Sequence, residues 1–262
     1  MKTLAALLAF CGMTVPVVAH EYWFEAPSHQ VEVGGDISLG IFVGSDLAGQ
    51  QLPYFPQGYR SLHHFAPGED GAFIRGRLGA MPAVALTELT DGLHVIAQET
   101  RDSSLTWEEA EKFQSFLSAE GLDYILDEHR ERGLPEVGFG ETYSRSAKSL
   151  IGVGSAEGAD FEVGLPVELV ALDNPFTVEG DIQIQFFVNG EPRPNARINL
   201  FHRDPDGELT ETYLTTDNDG IAAAPRTGAG FYLANAVHMD PVQDAGPTAW
   251  HSSWASLSWT EE

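Results

Sequence analysis

One cysteine, Cys11, is the only thiol in the 262 residues, and it lies in the stretch that the sequence marks for removal. A mature chain without it forms no disulfide and relies on packing alone, even in a compartment that permits disulfides. Cys-ligated zinc, copper(I) and iron–sulfur sites are excluded with it. Basic residues are scarce as well: 14 Lys and Arg stand against 39 Asp and Glu, a formal net charge of −25, and no basic block occurs. Such a field repels nucleic acid and anionic lipid and attracts cations. Enzyme signatures are also missing. There is no Gly-x-Ser-x-Gly elbow, no His-Glu-x-x-His, no phosphate loop and no cysteine nucleophile.

What is present begins with an export signal. Lys2 supplies a positive start, Leu4 to Val18 is mostly apolar, and Val17-Val18-Ala19 ends on residues suited to signal-peptidase cleavage. The apolar stretch is too short to span a membrane, and Glu21 and Glu25 follow it. A lipoprotein reading through Cys11 is opposed by Phe10, which stands where a small residue is required. The expectation is a signal peptide over 1–19, a mature chain starting at His20, a periplasmic location and no membrane insertion after cleavage.

The mature chain reads as all-β. Ile37–Val43 and Gly92–Ala97 alternate as strands, while 50–79 is rich in Gly, Pro and aromatics and reads as a loop. Thr106-Trp107-Glu108-Glu109 looks like a helix start, with Phe113, Phe116 and Leu117 on one face, Gly121 as its stop, and a second short helix ending at Gly133. From about Leu165 strands resume, separated by Asn189-Gly190-Glu191-Pro192, Asp204-Pro205-Asp206-Gly207 and Asp217-Asn218-Asp219-Gly220. Strands punctuated this way predict antiparallel sandwiches. The order "NGEPRPNARINL…TTDNDGIAAAPRTGAGFYLANA" resembles transthyretin-like and collagen-adhesin-B-like modules, a likeness of fold that carries no function. The organisation expected is two immunoglobulin/transthyretin-like β-sandwich regions, 20–160 and 161–262, the first carrying a helical insertion near 106–132.

Four pieces of the chain, in order, resemble the DUF4198 family of exported bacterial proteins. They are "AHEYWFEAP", "EKFQSFLSAEGLDYIL" with "ETYSRSAKSLIGVG", "GLPVELVALDNPF", and "AVHMDP…WHSSWASLSW". The resemblance implies a periplasmic component associated with transition-metal uptake, nickel above all. Its partners would be the metal ion and a membrane metal transporter or outer-membrane receptor system. His251 departs from the pattern, standing where an acidic residue is expected, and His63-His64 is not part of it.

The sharpest chemical feature is the mature N-terminus. His20 offers its α-amine and ring Nδ1 to one ion, and a further histidine would complete a histidine brace suited to copper(II). The amine titrates near pH 8, so binding weakens in acid. His238 is the preferred partner, on a strand face shared with Tyr232, Ala234 and Ala236. His251, in a loop before the last strand, is the third candidate. Met239 is a soft ligand nearby, and Glu21 and Asp240 stand beside candidate ligands. The ion expected is copper or nickel, with zinc as a competitor.

Other features read as structural. His63-His64 cannot chelate one ion on an extended chain, and Asp217 to Gly220 is an Asx-rich turn rather than a calcium loop. Tyr143, Arg145 and Lys148 suggest a small anion or carboxylate site, or a pin between the helical insertion and the sandwich. Two further functions stay open: a copper-brace redox enzyme, and an adhesion or carbohydrate-binding sandwich with incidental histidines.

Overall fold

The computed structural model describes residues 21–243 and 246–262. His20 and the expected signal peptide lie outside the described residues. The first half runs through β1 (Glu21–Glu25), β2 (Gln30–Val31), β3 (Ile37–Ser45), β4 (Ala48–Leu52), β5 (Tyr59–Phe65), β6 (Ala72–Phe73), β7 (Val84–Leu86), β8 (Gly92–Thr100) and β9 (Ser103–Trp107). Two helices follow, α1 (Ala110–Ala119) and α2 (Tyr124–Glu131), then the longest strand, β10 (Phe139–Val153). The second half holds β11 (Val167–Ala171), β12 (Ile182–Val188), β13 (Glu191–Pro192), β14 (Arg197–Arg203), β15 (Leu209–Thr215), β16 (Ile221–Ala224), β17 (Gly230–Pro241) and β18 (Thr248–Glu261).

The fold is all-β, in three layers around one ten-stranded sheet. That sheet runs β15-β14-β17-β18-β10-β8-β5-β6, with β2 and β9 also on β10. On one face, β11, β12 and β16 cover a core of Leu150, Leu169, Ile184, Leu200, Tyr232 and Trp259. On the other, β1, β3 and β7 cover Leu62, Ile96 and Ile151, and the two helices cover Trp107, Phe139, Trp250 and Trp254. The central sheet therefore crosses the boundary expected at 160/161: Leu93, Val95 and Leu150 belong to the same core as the second-half strands. Most pairings are antiparallel, as alternation with short turns predicts, but β10 and β18 run parallel.

Several local expectations are corrected. Thr106 and Trp107 do not cap a helix; they end β9, paired with Gly140 and Phe139, because the Trp107 indole donates to buried Glu141 at 2.7 Å. Helix α1 starts at Ala110 and ends as expected, with Gly121 at φ +70°, a conformation that glycine adopts without penalty. The stretch 50–79 is not a loop throughout: it holds β5, and His63 and His64 point to opposite faces of it. His64 stacks on His94, Nε2 to Nδ1 2.7 Å, and burial holds its ring far below its usual pKa, at about 4. The Asx turn is as expected, Asp217 Oδ1 accepting from the N–H groups of Asp219 and Ile221.

Candidate functional site

Strand β1 carries the first described residues onto the sheet. It lies across β18, whose Ser256 and Ser258 hydroxyls donate to the carbonyls of Tyr22 (2.6 Å) and Phe24 (2.8 Å). Glu21, the first described residue, opens on a cavity of about 430 Å³ between α1, β14 and β15. Glu120, at the C-terminal end of α1, lines the same cavity. Both side chains are buried, at 8% exposure each. Burial, reinforced by the negative charges of Asp46 and Glu211, raises the Glu21 carboxyl to about 7, against a partial lowering by the Arg145 guanidinium. Burial, with Glu21 and Glu211 nearby, raises Glu120 to about 8.

Asn199 lines this cavity, and Asn235 is its neighbour on β17. Their Nδ2 atoms donate to Glu120 Oε2 at 3.2 and 3.4 Å, so this oxygen has partners. Their Oδ1 atoms do not, and neither does Glu21 Oε2: these three buried acceptors make no hydrogen bond among the described residues. Unpaired buried acceptors cost about 1–3 kcal/mol each. The carbonyl end of α1 adds the negative pole of its dipole at the same place. None of the described ion pairs involves Glu21 or Glu120. Five carboxyls, Glu21, Asp46, Glu111, Glu120 and Glu211, line the cavity with one ammonium, that of Lys112, which pairs with Glu109.

His238 and His251 are brought together, but elsewhere. His238 pairs with Ser253 and Asp240 with His251 along β17 and β18, so all four share one face. This is the face of Ala236 and Ala255, opposite to that of Ser256, Ser258 and β1. His251 is not in a loop; it lies within β18, and Thr142 Oγ1 stands 3.0 Å from its Nδ1. His238 Nε2 stands 3.0 Å from Asp240 Oδ1, and burial lowers its pKa. The two rings line a cavity of about 170 Å³ with Arg60, Ser144 and Asn189. Met239 is buried on the helix-covered face instead. Glu21 opens on a different cavity from that of His238 and His251. Among the described residues no group of three His, Cys, Asp or Glu is placed to hold a metal ion.

Glu120, Asn199 and Asn235 were not legible as site residues. Glu120 sits at a helix end, where acids read as solvated. The asparagines lie in apolar strands whose alternation says only which face they occupy. Lys148, read with Tyr143 and Arg145, lies on the opposite face from them, buried against Asp160 (2.7 Å) and Glu168 (2.9 Å).

A family model described as "Domain of unknown function (DUF4198)" matches residues 17–240. No curated protein matches the chain. Similar solved structures include a tetra-tandem repeat in the extending region of a large adhesion protein, at 10% identity and TM-score 0.24, covering 92% of this chain and 50% of that one. Three N-terminal domains of the bacteriophage RB49 Highly Immunogenic Outer Capsid protein match at 13% identity and TM-score 0.18, covering 91% and 70%. Dimeric latent PorU from Porphyromonas gingivalis matches at 12% and 0.18, covering 95% and 21%. The chain thus spans half the length of the adhesion-protein structure.

Proposed function

The chain belongs to the DUF4198 family, and on that premise we propose that it is an exported, periplasmic protein that binds one divalent transition-metal ion at the start of its mature chain. The observation that supports this reading is the cavity beside Glu21, with two buried carboxyls and three unpaired acceptor oxygens. His20 directly precedes Glu21 in the sequence. Its α-amine and Nδ1 would chelate the ion, and the carboxylate of the next residue, Glu21, would add an oxygen donor. Nitrogen and oxygen donors favour copper over nickel, with zinc competing. Among the described residues no helix is long and apolar enough to cross a membrane. A metal transporter or receptor system in a membrane is the partner this role requires.

His238 and His251 remain metal-ligand candidates as a separate pair on the opposite face, a weaker site than the chelating terminus. The test compares the protein beginning at His20, verified by mass spectrometry, with one carrying an extra Ala before it. Titration with copper(II), nickel(II) and zinc(II) should show at least a hundredfold loss of affinity on extension, because the amine is moved away from the imidazole. Equal affinities would overturn the reading and leave side-chain ligation alone.

A further inference from the structure

A second cavity, of about 300 Å³, lies on the other side of β1, between Tyr22, the turn around Phe55 and the β8–β9 corner. Its lining includes Arg101 and Arg145 and not one carboxylate, in a chain with 39 acidic and 14 basic residues. Arg145 is the central group. Its guanidinium lies 4.6 Å from the Tyr143 ring centroid and 5.7 Å from that of Tyr22, held by stacking rather than by any acid. Its buried Nε has no acceptor. The carbonyl of fully buried Gln98 accepts from the Tyr22 hydroxyl (2.8 Å), which fixes that ring in the wall. An unpaired guanidinium donor in a lining free of carboxylates inverts the pattern found beside Glu21.

The walls specify the rest. Tyr59 is fixed by its own contact, its hydroxyl accepting from the Phe55 N–H at 3.1 Å. Phe55 stands at the rim, 53% exposed. A planar guanidinium fork matches a carboxylate in two parallel hydrogen bonds, and flat aromatic walls match a flat apolar body. The volume is at the small end of the range for ligand pockets, about 300–1,000 Å³. We infer that this cavity binds a small organic carboxylate with a planar, apolar body, clamped by Arg145 and flanked by Tyr22, Tyr59 and Phe55. The metal reading is not needed for it.

Benzoate is the probe, with benzyl alcohol as its uncharged counterpart and inorganic phosphate as an anion without an apolar body. Calorimetry on metal-free mature protein carrying the N-terminal Ala extension removes the chelating terminus from the comparison. One benzoate should bind saturably, with benzyl alcohol and phosphate each at least tenfold weaker. Arg145→Gln should weaken benzoate at least tenfold, and Phe55→Ala, at an exposed position, several-fold. Absence of saturable benzoate binding overturns the inference, as does unchanged affinity in folded Arg145→Gln. Equal binding of benzyl alcohol also overturns it, showing an apolar slot and no anion clamp. Should Arg145→Gln fail to fold, the benzyl alcohol comparison and Phe55→Ala decide.

Discussion

Two clusters of buried charge in this molecule differ in one respect, whether the protein completes them. Lys148, Asp160 and Glu168 are each at most 1% exposed at the side chain, and every group has partners. The ammonium also donates to the Phe161 carbonyl (2.9 Å), and Glu168 accepts the N–H groups of Val163, Gly164 and Leu165. Asp160 takes those of Phe161 and Ala171. The triad ties the connector after β10 to both β10 and β11. Around Glu21 and Glu120 the same burial leaves acceptors unmatched. A completed cluster is architecture; an incomplete one of a single polarity calls for something from outside.

The largest effect should come from breaking the completed cluster. Lys148→Met strands two buried carboxylates, and removing one partner of such a set costs about 3–5 kcal/mol. Urea denaturation at pH 7 measures it. A loss under about 1 kcal/mol would mean that the triad is not holding the connector.

The incomplete cluster should show itself in pH dependence. Glu21 and Glu120 have folded values raised from 4.5 to about 7 and about 8, so the native state binds more protons than the unfolded chain between these limits. Stability of the metal-free protein should therefore be full with respect to them below about pH 4.5 and fall as pH rises through 8. Buried Glu141, raised to about 7, acts in the same direction. Glu120→Gln should flatten this decline and leave stability at pH 4 nearly unchanged. Buried His29 and His64, held at about 3 and about 4, act in the opposite sense below pH 6.5. The test is therefore the difference between wild type and Glu120→Gln: a wild-type advantage that grows from pH 5 to pH 8 in the metal-free protein would contradict the sign.

A bound cation should reverse that trend. At pH 6.5 metal binding should release protons, seen by calorimetry in two buffers of different ionisation enthalpy, and Glu21→Gln should reduce the release. Proton release unaffected by Glu21→Gln would detach the metal from this cavity. The smallest effect is expected from His238→Ala with His251→Ala: affinity at the chelating terminus should stay within about threefold, since both rings face the other side of the sheet. A tenfold loss would mean that the two faces share one ion.

Legibility followed polarity. The second-half strands alternate cleanly and could be read within a few residues, and the helical insertion announced its buried face through Phe113, Phe116 and Leu117. The central strand β10 could not be read. Glu141, Ser144, Ser146, Lys148 and Ser149 are all buried in it, although their sequence looks like that of a solvated loop. Their partners lie at least 12 residues away: Glu141 with Trp107 and Ser252, Lys148 with Asp160 and Glu168, Ser149 with Ser258. A local pattern carries no trace of such pairings. β5 was hidden similarly, because His63 and His64 interrupt its apolar alternation.

The sequence by itself determined the class of fold, the family and which face of β17 His238 occupies, because periodicity and turn chemistry act over a few residues. It also set the charge and confined the one thiol to position 11. Only the tertiary structure decided that β1 lies on the opposite face of the sheet from His238 and His251. Only it brought Glu21, Glu120 and Asn199 to one cavity, with Asn235 bonded to Glu120, and gathered Arg145 with Tyr22 at another. Which buried groups meet, and which are left unpaired, depends on contacts between strands far apart in the chain, and burial without a partner is a property of place rather than of residue type.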